Sequence, residues 1–134
     1  MVMKKKTDPV LLAMIICDQI IREEGTKKLS LLGLFDRVYS KKFPCSHSRL
    51  HVYVALTEYI GTANCELKFS DDSGNVITKL NGPLRFPNKL TVVEMNFGIK
   101  NIPLPKAGVY HFDFIVDGRL IGHRKFKVEQ IKEE

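Results

Sequence analysis

"LPKAGVYHFDFIVDGRLIGHRKFKV", Leu104–Val128, is the most regular stretch of the chain, and its reading decides the fold. Tyr110, Phe112, Phe114 and Val116 alternate with His111, Asp113 and Ile115, the period-two pattern of a strand with one buried face. Asp117-Gly118 then supplies two residues that accept positive φ, as the tight turn of an antiparallel hairpin requires. Leu120 to Val128 is the returning strand. A tyrosine two residues after Gly108 matches the tyrosine corner of Greek-key sandwiches, whose hydroxyl bonds back to the preceding connection.

The same grammar extends toward the N-terminus. Leu50, Val52, Val54 and Leu56 alternate with Arg49, His51, Tyr53, Ala55 and Thr57, and Cys65, Leu67 and Phe69 alternate with Asn64, Glu66 and Lys68. One face of each strand is core and the other is wet or partnered. Asp71-Asp72-Ser73-Gly74-Asn75 is a hairpin signal before Val76–Leu80. Asn81-Gly82-Pro83 and Phe86-Pro87-Asn88 mark a longer loop, after which 90–99 reads as another strand. The apolar run from Val10 predicts a first strand over 10–22 that sits centrally in its sheet, and 29–39 predicts a second. The expected fold is therefore all-β: an antiparallel immunoglobulin-like β-sandwich of about eight strands.

With 134 residues, 44% of them hydrophobic, the chain is long enough for one cored domain and too short for two. The expectation is a single sandwich domain over 8–129, with flexible termini at 1–7 and 130–134. Lys4-Lys5-Lys6 before an apolar run imitates a secretion signal, but Asp8-Pro9 intervenes and Ile15-Ile16 are bulky where a cleavage site or lipidated cysteine wants small residues. Three cysteines, Cys17, Cys45 and Cys65, without a C-x-x-C spacing, fit a reducing compartment and no disulfide framework. A cytoplasmic location is expected, with no membrane association.

The opening third carries Cys17-Asp18, Gly25, Leu29-x-Leu31-x-Gly33-x-Phe35-Asp36 and Phe43-Pro44, and a Gly108-x-Tyr110-x-Phe112 and Asp117-Gly118 pattern follows late in the chain. In these positions the sequence resembles an uncharacterised bacterial domain family of unknown function. The resemblance implies a small β-sandwich and no activity, cofactor or partner.

Function is sparsely signalled. Net charge is +6, with 21 Lys and Arg against 15 Asp and Glu, and no block of five or six like charges suggests a nucleic-acid tail. The densest positive region, Arg37, Lys41, Lys42, His47 and Arg49 with Tyr53 among them, is the candidate binding site, since cations interleaved with aromatics can hold a phosphate backbone and stack bases. A solvated end of the sandwich explains the same residues, because lysines on edges and loops discourage strand addition. Cys45-Ser46-His47 places a thiol near an imidazole, yet catalytic pairs are assembled by the fold rather than by adjacency. His111 and Asp113 should share an outer face, joined by His51 or His123 where strand pairing allows. No hydrolase, zinc-protease, phosphate-loop or dinucleotide motif is present. The sequence reading is thus a non-enzymatic module for protein binding or self-association, without cofactor or metal, with anion or nucleic-acid binding at the basic loop end as the alternative.

Overall fold

The computed structural model describes residues 8–132. Strand β1 (Val10–Arg22) is followed by β2 (Leu29–Leu34), β3 (Arg37–Ser40), β4 (Cys45–Thr57), β5 (Gly61–Asp71), β6 (Val76–Phe86), β7 (Val93–Leu104), β8 (Gly108–Val116) and β9 (Arg119–Gln130). They form two sheets, one of four strands in the order β2-β1-β4-β7 and one of five in the order β3-β9-β8-β5-β6. All pairings are antiparallel except β3 with β9. The architecture is an all-β sandwich.

Side-chain alternation builds the core. Leu50, Val52, Val54 and Leu56 of β4 face Leu67 and Phe69 of β5, Tyr110, Phe112 and Phe114 of β8, and Phe126 of β9, all nearly inaccessible to water. The aromatic centre is tight. Phe69 stacks on Tyr110 at 5.3 Å between centroids and lies 4.6 Å from Phe112, while Phe126 meets Phe69, Phe112 and Phe35 edge-on. Such pairs add about 0.5–1.5 kcal/mol each beyond their buried area. The tyrosine corner closes as the sequence predicts: Tyr110 Oη donates to Lys106 O at 2.7 Å and accepts from Lys106 N at 3.3 Å. The turn at Asp117 and Gly118 has positive φ at both residues.

Three expectations need correction. Residues 29–39 are not one strand, because the chain leaves the four-stranded sheet at Phe35 and Asp36 and resumes as β3 in the other sheet. Phe35 N still donates to Ile16 O (3.2 Å), whereas Asp36 O already accepts from Lys127 N (2.9 Å). The Asn81-Gly82-Pro83 segment is not a loop but the middle of β6; β6 is an edge strand, where proline's missing donor faces no neighbour. The strand expected over 90–99 begins at Val93 and runs on to Leu104. At Ser48 and Asn101 both β4 and β7 change the phase of their alternation, with φ of 52° at Asn101, so that His47 and Ile102 point inward while Arg49 and Lys100 point outward.

Gln130, expected to be flexible, closes β9, and Ile131 N donates to Ser40 O at 3.0 Å. Residues 1–7, 133 and 134 lie outside the described residues.

Candidate functional site

Every sandwich has four edge strands, and their chemistry differs here. β6 carries Lys79, Arg85 and Pro83; β7 carries Glu94, Lys100 and Pro103; β3 is four residues long and opens with Arg37. Charge, proline and shortness are the usual protections of a sheet edge. β2, Leu-Ser-Leu-Leu-Gly-Leu, has neither charge nor proline. Its outer-face residues Leu32 and Leu34 are 44% and 64% exposed. Cross-strand pairing with β1 places Leu34 beside Cys17, Leu32 beside Gln19 and Ser30 beside Ile21, so two exposed leucines lie along the open edge.

Local chemistry holds β2 in place. Gly33 has φ of 70°, and a Cβ there would come within 2.6 Å of Asp18 Oδ2 across the strand pair. Asp18 and Gly33, separate features of the sequence pattern, therefore form one contact. Just beyond, Arg124 reaches from β9 between the sheets and donates from Nε to Met14 O at 2.8 Å, occupying a carbonyl of β1 that β2 does not reach. Met14, Ile16, Leu34, Phe35, Asp36 and Arg124 line a shallow notch of about 440 Å³ at this point.

The six candidate residues of the basic region fall on different surfaces. Arg37, on the β3 edge, is engaged by Asp36 (3.1 Å) and Glu129 (3.4 Å). Its guanidinium, through the hydrogen bond and its charge, holds the Asp36 carboxyl below the usual carboxylate range. Lys41 and Lys42 are exposed in the β3–β4 loop, which is fixed through backbone groups: Lys41 O accepts from Gln130 Nε2 and Lys42 O from Ser40 Oγ. His47 turns inward against the Phe35 ring at 5.7 Å, and its Nε2 is buried without a hydrogen-bond partner. Arg49 and Tyr53 point outward from β4 on the four-stranded sheet. Tyr53 Oη donates to Glu94, and His51 Nδ1 meets Asn96 Oδ1 at 2.7 Å. Burial, then the hydrogen bond to Glu94 and its charge, push the Tyr53 phenol up to about 12.

Sequence proximity misses a neighbour of Arg49. Strand register sets it directly opposite Lys100, a like-charged pair that repels unless an anion lies between. Cys45 and His47, two apart on β4, both belong to the inward face, Cys45 half-buried. The opposite sheet carries the polar group that the alternation of β8 anticipates: His111, Asp113 and His123, extended by Asp72 from the β5–β6 turn.

A family model matches residues 12–129. The chain belongs to the family of unknown function DUF6941. The matched span covers nearly all of the sandwich and includes β2, the Asp18–Gly33 contact and the histidine group. No curated protein matches. Among solved structures, the chain is similar to the sensor domain of the anti-sigma factor RsgI4 of Pseudobacteroides cellulosolvens, at 15% identity and a TM-score of 0.41 over 69% of this chain and 85% of that one. It is similar also to CopC from Methylosinus trichosporium OB3b, at 13% identity and a TM-score of 0.40 over 95% and 99% of the two chains. Likeness at that level carries no argument about a ligand or partner. Among the described residues, no helix is long and apolar enough to cross a membrane.

Proposed function

We propose that this DUF6941 protein is a non-enzymatic cytoplasmic module that works by protein association through the open edge of β2, a second copy of the chain being its partner. The observation that carries the reading is the contrast among the four edges: three bear charge, proline or brevity, and β2 bears none. An unpaired row of backbone donors and acceptors flanked by exposed leucines is the template that strand addition uses. Antiparallel pairing of β2 with its own copy is self-complementary, as a two-fold interface must be. Pairing centred on Leu32 sets Ser30 against Leu34 on the outer face and brings Lys28 of one copy toward Asp36 of the other, opposite charges meeting at both ends. The three free cysteines support a reducing compartment. The tyrosine corner and the parallel pairing of β3 with the last strand support an immunoglobulin-like ancestry for the sandwich, with β1 inserted between β2 and β4.

Light scattering coupled to size exclusion tests the reading. The wild-type chain dimerises as concentration rises, and the L32K/L34K double variant remains folded by circular dichroism and monomeric. A wild-type chain that stays monomeric, or a dimer that survives both substitutions, refutes it.

One observation favours a second reading, anion or nucleic-acid binding: Arg49 and Lys100 lie side by side, and neither has an ion pair among the described residues. Counterion release then makes binding fall steeply with salt. An R49A/K100A variant that binds single-stranded nucleic acid as the wild type does removes this reading.

A further inference from the structure

On the outer face of the five-stranded sheet, Asp72, His111, His123 and Asp113 form a chain. His111 Nε2–H donates to Asp72 Oδ1 at 2.9 Å, and His123 Nδ1–H donates to Asp113 Oδ1 at 2.7 Å. The two remaining nitrogens, His111 Nδ1 and His123 Nε2, face each other at 3.5 Å, with the rings 5.2 Å apart between centroids. Strand register produces this convergence: β8 sets Asp113 directly opposite His123 of β9, leaving His111 on the diagonal within reach of the second ring.

Proton accounting on this group is restrictive. An ionised carboxylate only accepts, and a neutral imidazole has one N–H. Each ring therefore commits its N–H to a carboxylate, and each facing nitrogen is left with a lone pair. Two lone pairs facing one another repel unless a cation, a metal ion or a single proton, lies between them. The geometry points to a binding site for a nitrogen-preferring divalent transition cation, of the Zn²⁺, Ni²⁺ or Cu²⁺ class, between His111 Nδ1 and His123 Nε2. Metal–nitrogen bonds of about 2.0–2.1 Å span the observed separation at an angle of roughly 115–120°, close to tetrahedral. Asp72 and Asp113 are the outer carboxylates that fix tautomer and ring orientation in histidine metal sites.

Neighbouring charges select the class of cation. Lys125 lies directly opposite His111 and Lys68 directly opposite Asp113, so the face offers little to a cation held by charge alone, as Ca²⁺ and Mg²⁺ are. Imidazole donation suits the transition metals and follows their usual order, Cu²⁺ tightest. No group of three or more His, Cys, Asp or Glu side chains gathers around one point among the described residues, so solvent supplies the two remaining ligands of a tetrahedral shell.

Calorimetric titration of the full chain with Zn²⁺, and paramagnetic resonance with Cu²⁺, test the inference. One equivalent of metal binds, the Cu²⁺ spectrum shows coupling to nitrogen, and Mg²⁺ and Ca²⁺ give no heat. H111Q and H123Q each weaken binding at least about tenfold, and D113N, with both imidazoles kept, weakens it about 10–100-fold. Thermal melts of the metal-free variants show that the sandwich is intact. Absence of binding, or affinity that both histidine variants retain, overturns the site. So does a nitrogen-15 spectrum of the wild type in which one proton stays shared between the rings when Zn²⁺ is added.

Discussion

Replacing Gly33 by alanine separates a backbone effect from a steric one at the point where the chain leaves the four-stranded sheet. At φ of 70° an L-residue with a Cβ costs about 1–2 kcal/mol. Alanine also restricts the unfolded chain, which returns about 0.4–1 kcal/mol only where the native φ is compatible, and here it is not. The added Cβ meets Asp18 Oδ2 at 2.6 Å, but Asp18 is exposed and its carboxylate can swing toward water. The steric share is thus the smaller one, and G33A should destabilise by about 1–2 kcal/mol. For a chain of this length about 1 kcal/mol corresponds to roughly 3–4 °C in Tm. Urea unfolding of wild type, G33A, D18A and the double variant forms the assay, with the slope m unchanged. Most of the loss persists in the D18A background. A stabilised G33A refutes positive φ at this position, and a loss that vanishes when Asp18 is removed refutes the backbone explanation.

Two further outcomes follow from single side chains. Y110F keeps the stack on Phe69 and removes only the hydroxyl that bonds Lys106, so a loss of about 1 kcal/mol is expected in urea unfolding, the net value of one hydrogen bond. Because the folded-state pKa of Tyr53 is raised to about 12, the unfolded chain loses this proton first, and stability falls as pH rises from about 10 toward 12; Y53F should flatten that alkaline limb while leaving stability at neutral pH nearly unchanged, as measured by unfolding across the range.

The parts of the fold that alternation alone specifies were legible in the sequence. The β8–β9 hairpin, the inward aromatics, the tyrosine corner and the extent of β1 all rest on local periodicity and turn chemistry, and they stand as read. The break between β2 and β3 was not legible, since Phe35-Asp36-Arg37 contains neither glycine nor proline; it is set by a distant partner, Lys127. Pro83 misled for the same reason. Whether proline interrupts a strand depends on whether its donor side faces a neighbour, a property of sheet order rather than of sequence.

The candidate site divides along that line too. Grouping Arg37, Lys41, Lys42, His47, Arg49 and Tyr53 by proximity ignored the change of sheet after Phe35 and the change of phase at Ser48, which send Arg37 to one edge, His47 inward and Arg49 to a face shared with Lys100. The lack of charge in β2 was visible from the start, but its meaning required knowing that β2 is an edge. The outer-face position of His111 was legible, and its meeting with His123 waited on the register of β8 with β9.

The proposed association depends on the uncharged edge of β2 as the place where this protein meets its partner. Amide hydrogen exchange of residues 29–34, followed as protein concentration rises, measures it most directly. Protection that grows with concentration in β2, and stays constant in the edge strands β3, β6 and β7, is the predicted result; exchange in β2 that is the same in dilute and concentrated solution contradicts it.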